Sequence, residues 1–375
     1  MSSSADQYDE PLFYQVMQYA RTADRDVVDM VSGNPDWEPP RALRAGLTAY
    51  ADADVDKFQY PPSEGLTRLR ESICEQRSID ISRVLITHGA AEANYLAMAT
   101  ALESYSGQEF VVVDPVYPYY PGKATMLGGT VTRVPVRKDG HLDVDAMQEA
   151  ITNDTVAVIC NTPNNPTGAV YKQSSLQSLA EFASTVDAAL IIDEVYARFD
   201  FTGQFKTALT LAADNVIVTT AFSKSMAITG FRIGYAVFPS HLVDQAATRH
   251  MLVMVSASRP AQAAVAAALK QTGSNYYEET RAMLRHRVQS FIEGLETAGA
   301  SYIRPEGAFY VLARFDGFSG TLRNVKRLID EAGVAGMPGA AFGSSYDEWM
   351  RFSLCTDRTA TAGDRLAAFF TDLTA

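Results

Sequence analysis

Short apolar runs alternate with longer Ala- and Leu-rich stretches through the middle of the chain. Val84–Thr87, Phe110–Asp114, Thr155–Cys160, Ala188–Asp193, Asn215–Thr219 and Gly234–Phe238 are rich in β-branched residues. Each is short enough to be a strand buried on both faces. Between them, Ala91–Ser104 and Ser174–Val186 are predicted helices. Strands alternating with helices predict an α/β fold whose mostly parallel sheet is covered by helices on both sides. Such a sheet binds ligands at the carboxyl ends of its strands.

The flanks read differently. Before Arg41 the chain is polar and broken by Pro35, Pro39 and Pro40, which suggests an arm leading into the sheet. From about Pro260 a long helical stretch runs to Thr297, followed by a mixed segment with strands near Gly307–Ala313 and Met350–Cys355. The expectation is a large domain over residues 41–280 and a smaller α+β domain built from 1–40 and 281–375. Repeats, low-complexity tracts and long linkers are lacking.

Composition narrows the function. The 375 residues carry a net charge of −12, which disfavours nucleic acid or anionic membranes as partners. No apolar run is long enough to span a bilayer, and the first ten residues lack the pattern of a signal peptide, so a cytoplasmic protein is expected. Of 32 basic residues only eight are lysines. Arg favoured over Lys on an acidic chain suits a salt-rich cytoplasm, and a GC-rich genome gives the same bias. The three cysteines, Cys74, Cys160 and Cys355, are far apart, so neither a disulfide framework nor a metal site is expected.

Few lysines make each one conspicuous. Ala221-Phe-Ser-Lys-Ser-Met-Ala-Ile-Thr-Gly-Phe-Arg-Ile-Gly-Tyr235 follows a predicted strand and sets Lys224 in a small-residue loop, with Arg232 eight positions later. A partly buried lysine has a lowered pKa and condenses with aldehydes, and an arginine fork suits a phosphate. Read alone, such a lysine is a solvated surface group. Three further segments change that. Asn161-Thr-Pro-Asn-Asn-Pro-Thr-Gly168 is a rigid loop after a strand, and Asp193-Glu-Val-Tyr196 puts a carboxylate and a phenol at the next strand's end. Thr87-His-Gly-Ala-Ala-Glu92 passes from strand to helix, where backbone N–H groups make an anion site.

Together and in this order, the segments resemble the fold-type I pyridoxal-phosphate (PLP) enzymes, specifically the class I/II aminotransferases, from Gly33 to Ser353. The resemblance implies a two-step transfer of an amino group from an L-amino acid to a 2-oxo acid. Lys224 would hold PLP as a Schiff base and shuttle the proton, while Asp193 would keep the pyridine nitrogen protonated. Asn165 and Tyr196 would bind the ring oxygen, and Tyr117 would stack on the ring. The phosphate would lie on Arg232, Ser223 and the amides of Ala90 and Ala91. Tyr60 would reach it from a neighbouring subunit, which implies a homodimer. Arg351, helped by the Gly33 amide and Asn165, would grip the substrate's carboxylate.

Two positions depart from the family's pattern. Ala221 stands where a phosphate-binding hydroxyl is frequent, and the Gly-Ala-Ala turn offers no side-chain hydroxyl. His88 beside that turn reads as structural. Arg259 could read an acidic substrate side chain. The same residues could also serve a C–S β-lyase, a cyclase or a decarboxylase. A non-enzymatic PLP-binding regulator is disfavoured by the retention of Lys224, Asp193 and Arg232.

Overall fold

A computed structural model describes residues 11–374. Its strands are β1 (Val28–Asp29), β2 (Val84–Thr87), β3 (Glu109–Asp114), β4 (Thr130–Pro135), β5 (Thr155–Asn161), β6 (Ala189–Asp193) and β7 (Val216–Ala221). These are followed by β8 (Gly234–Val237), β9 (Ser301–Ile303), β10 (Tyr310–Arg314), β11 (Val334–Ala335), β12 (Met337–Pro338) and β13 (Trp349–Ser353).

Among the described residues, seven strands form the main sheet in the order β2-β8-β7-β6-β5-β3-β4. The run from β7 to β4 is parallel, and β8 lies antiparallel between β2 and β7. The period-two geometry of a strand explains why these segments are apolar throughout. In β6, Leu190 and Ile192 enter one core while Ala189 and Ile191 enter the other; in β3, Val111 and Val113 divide likewise from Phe110 and Val112. Helix Gln173–Thr185 covers the first face through Leu176, Leu179 and Ala183. Helix Gly89–Ser104 covers the second through Ala93, Leu96 and Ala97. The fold is therefore α/β, as expected, and the six strand runs read from the sequence lie within two residues of β2, β3, β5, β6, β7 and β8.

A third core gathers Val16, Met30, Phe291, Phe309, Phe352 and their neighbours, with Tyr196 and Phe199 reaching in from the main-sheet side. Here the antiparallel sheet β12-β13-β10-β9 and the short parallel pair β1-β11 pack on helices. No helix of the described chain is long and apolar enough to cross a membrane.

Three expectations need correction. The stretch from Pro260 to Thr297 is two helices, Arg259–Gln271 and Ser274–Thr297, because the chain turns at Thr272-Gly273. The polar arm contains a helix, Leu12–Arg21, whose apolar residues Leu12, Phe13, Val16 and Met17 pack on the third core. Strand β4 was not anticipated, because an edge strand with only Val134 buried carries no apolar run.

Helices Ser274–Thr297 and Thr359–Thr374 cross where Gly294 faces Gly363. A Cβ on Gly294 would lie 2.3 Å from the Gly363 backbone. Gly294→Ala must push the helices apart, at a cost of about 1–3 kcal/mol. A lower melting temperature in a thermal scan is expected, and an unchanged one would show that this crossing is loose.

Candidate active site

The parallel strands end on one edge, and their last residues meet there. Asn161 at the end of β5 pairs in register with Asp193 at the end of β6, which pairs with Thr219 of β7. Asp193 is 3% exposed. Its Oδ2 accepts from Asn94 Nδ2 and from the Tyr120 hydroxyl, both at 2.8 Å, and its Oδ1 accepts from the Val195 amide at 3.0 Å. Burial raises its pKa against the pull of those donors, and it forms no ion pair among the described residues. Thr219 Oγ1 donates to Asn94 Oδ1 at 2.6 Å and fixes the amide's orientation.

Beyond β7 the single-turn helix Phe222–Ser225 carries Lys224 back over the strand ends. Its Nζ donates to the Gly33 carbonyl at 2.7 Å. Burial, more than the nearby Arg351 and Arg232, holds this amine down to about 8 from an ordinary 10.5. Gly33 tolerates no side chain here, since a Cβ would sit 2.5 Å from the Tyr310 hydroxyl.

Lys224, Asp193, Asn165, Tyr196, Tyr117, Ala90, Ala91, Ser223 and Arg232 line one cavity. At its far end Gly89 (φ +77) turns the chain into helix Gly89–Ser104. A Cβ on Gly89 would meet the Arg232 guanidinium at 2.7 Å, so glycine lets the arginine lie flat on the turn. Arg232 donates to the carbonyls of His88 (3.2 Å) and Thr229 (3.0 Å). His88 contacts Glu92, through its amide at 2.6 Å and its ring at 3.2 Å, and lines no part of this cavity.

Tyr196 is buried, and its hydroxyl lies 3.0 Å from that of Tyr310. Burial first, then the Tyr310 neighbour, keeps its phenol protonated well above the usual range. Arg351, on β13, is buried between the rings of Tyr310 (4.4 Å) and Phe342 (5.1 Å). It donates to Asn165 Oδ1 at 3.3 Å and to the Val31 carbonyl, while its Nε has no partner. Asn165 is in turn held by its amide, which donates to Asn161 Oδ1 at 2.8 Å.

Gly33 accepts from Lys224 Nζ through its carbonyl. Tyr60 is 83% exposed and lines neither this cavity nor the adjoining one beside Arg351. Arg259 lies away from both cavities, and its guanidinium holds the carbonyls of Asp56 (3.0 Å) and Gln59 (2.8 Å), next to Tyr60. The sequence reading missed Asn94, Tyr120 and Tyr310. A signal existed for Asn94, an amide within the Ala-rich helix predicted to cover the sheet.

The model for the family "Aminotransferase class I and II" matches residues 25–367. An aspartate/prephenate aminotransferase of Thermus thermophilus is 32% identical over 91% of this chain and 90% of its own length. An aspartate aminotransferase of Pyrococcus horikoshii is 29% identical over 89% and 87%. Among solved structures, the aspartate aminotransferase of Thermus thermophilus with maleate superposes at a TM-score of 0.90, with 28% identity over 98% of this chain and 99% of that one.

The lowered pKa of Lys224 has a direct consequence. As pH rises through about 8, its amine in the cofactor-free protein becomes neutral and nucleophilic, well before an ordinary lysine. Reductive methylation across a pH series, read by peptide mass spectrometry, should give a Lys224 midpoint near 8. Mapping is needed because burial also brings Lys123 down to about 8. A Lys224 midpoint above 10 would contradict the burial argument.

Proposed function

The chain belongs to the class I and II aminotransferases and is a PLP-dependent transaminase, and on that footing we propose how its own residues divide the work. The observation that carries the division is one cavity lined together by a buried carboxylate, a guanidinium lying on a backbone turn and a lysine of lowered pKa. These fit PLP: Asp193 offers a buried anion to a protonated ring nitrogen, and Arg232, Ser223 and the Ala90–Ala91 turn offer donors to a phosphate. When bound, PLP supplies an aldehyde that takes the amino group and a ring that withdraws the electron pair left at the substrate's α-carbon.

Lys224 Nζ would hold the cofactor and give it up to the substrate's amine. The freed amine, whose pKa burial lowers to about 8, would then take the α-proton as general base from its deprotonated form and later return it on the other side. Tyr196 donates to the ring oxygen, oriented by Tyr310, and Asn165 assists. Tyr117 packs on the ring face. Arg351 grips the α-carboxylate, its guanidinium lying over the rings of Tyr310 and Phe342. The second half-reaction runs the same steps backwards on a 2-oxo acid.

The active unit we propose is a homodimer acting in the cytoplasm. Tyr60 is exposed, as are the apolar Val55, Phe58, Leu252 and Val255, and a second copy packed over them would gain from their burial. Tyr60 would then reach the neighbour's phosphate site.

Borohydride reduction of the PLP-loaded protein should fix the cofactor on Lys224, and an adduct mapped to another lysine would overturn the assignment. Arg351→Lys keeps the charge and loses the fork. Its kcat/KM for amino acids should fall about tenfold to a hundredfold, or about 1.4–3 kcal/mol, and Arg351→Ala should lose more. The spectrum of the bound cofactor should survive both changes. A fully active monomer in sedimentation would rule out the role given to Tyr60.

A further inference from the structure

Arg351 fixes one end of a substrate, so the cavity beyond it must hold the side chain. That cavity measures about 410 Å³. Its wall away from Lys224 is formed by Leu12 and Phe13, Tyr119, Met337, Ala341 and Phe342. Leu12 and Phe13 are the first turn of helix Leu12–Arg21, which is pinned by the fully buried Val16 and by the Tyr19 hydroxyl donating to Asp330 at 2.7 Å. The wall is thus a built part of the fold and not a chance approach of a loose arm.

Among the described residues, Lys224 and Arg351 are the only cations that line this cavity. Two other basic groups nearby are engaged elsewhere. Arg133 lies 3.7 Å from the Asp114 carboxylate and donates to the Phe342 carbonyl, and Lys123 Nζ donates to the Tyr119 carbonyl at 3.5 Å. Arg259 is bound to the Asp56–Gln59 segment. Against the walls this chain supplies, a second carboxylate on the substrate would therefore lose its water to apolar and aromatic groups without a counter-charge among them, whereas a large apolar side chain would gain from burial.

We propose that this enzyme takes amino acids with uncharged, apolar side chains, aromatic ones foremost, in preference to aspartate and glutamate. Leu12, Phe13 and Met337 are the residues that set the choice. The inference rests on Arg351 as the carboxylate grip. It separates this chain from the relatives whose names specify aspartate.

Binding of inert acids to the PLP-loaded enzyme tests it without turnover. In calorimetry, 3-phenylpropionate should bind at least tenfold more tightly than succinate. Phe13→Ala should weaken 3-phenylpropionate several-fold and leave succinate nearly unchanged, and Met337→Arg should strengthen succinate. Arg351→Ala should weaken both acids alike. Succinate binding as tightly as 3-phenylpropionate to the unaltered enzyme would overturn the proposal, and loss of both on Arg351→Ala would show that the carboxylate grip still stands. If Arg351→Ala leaves both acids bound as before, the grip itself is misassigned and this inference falls with it. Single-turnover rates with phenylalanine and aspartate should follow the same order, and a faster reaction with aspartate would count against it.

Discussion

A carboxylate at 3% exposure is costly to keep, by several kcal/mol unless its oxygens find partners. Asp193 finds them on three separate pieces of chain: Asn94 from helix Gly89–Ser104, Tyr120 from helix Tyr119–Met126, and the Val195 amide from its own turn. Thr219 on the next strand then holds Asn94 from behind. Each donor must stay in place to keep the ion tolerable, so the ion registers the elements against one another. Helix Gly89–Ser104 is fixed near its first turn, and that turn is the proposed anion cup. The spacing between the carboxylate and the cup is thereby set by hydrogen bonds rather than by the looser packing of Ala and Leu.

Parallel strand ends make this economy possible. Asn161, Asp193 and Thr219 stand in register on adjacent strands, so three polar side chains from distant sequence positions converge without any loop having to carry them. The lysine differs, because the proposed reaction requires it to move. It sits on a single helical turn, and it rests on the Gly33 carbonyl, a neutral partner that can be given up without leaving a buried ion unpaired.

What the sequence made legible follows from this geometry. Lys224, Arg232, Asn165, Asp193 and Tyr196 lie in short contiguous segments whose residue types and order are unusual, and the strands before them are apolar on both faces. Asn94, Tyr120 and Tyr310 could not be read so easily, because their importance comes from partners 99, 73 and 114 residues away. The same limit applies to the helix at Leu12–Arg21: its apolar stripe is short, and its burial depends on the third core. Tyr60 and Arg259 meet through the Asp56–Gln59 segment, and within a single chain neither lines the cavities beside Lys224 and Arg351.

The third core aligns Arg351, the proposed substrate grip, with the lysine. Residues 30–36 are zipped to the end of β13: Ser353 donates to the Met30 carbonyl at 2.6 Å, Arg351 to Val31, and Arg287 joins Asp36 (2.6 and 2.9 Å) to the Leu354 carbonyl (3.1 Å). Gly33 lies in the middle of that segment. The resting place of the Lys224 amine and the fork of Arg351 are therefore referred to the same few residues, although one side chain comes from the main sheet and the other from β13. If Lys224 leaves Gly33 to carry a proton, as proposed, Val31 and Asn165 still hold Arg351, and a carboxylate gripped there would not have to shift with it. A base that moves and a grip that does not are what stepwise proton transfer at one carbon requires.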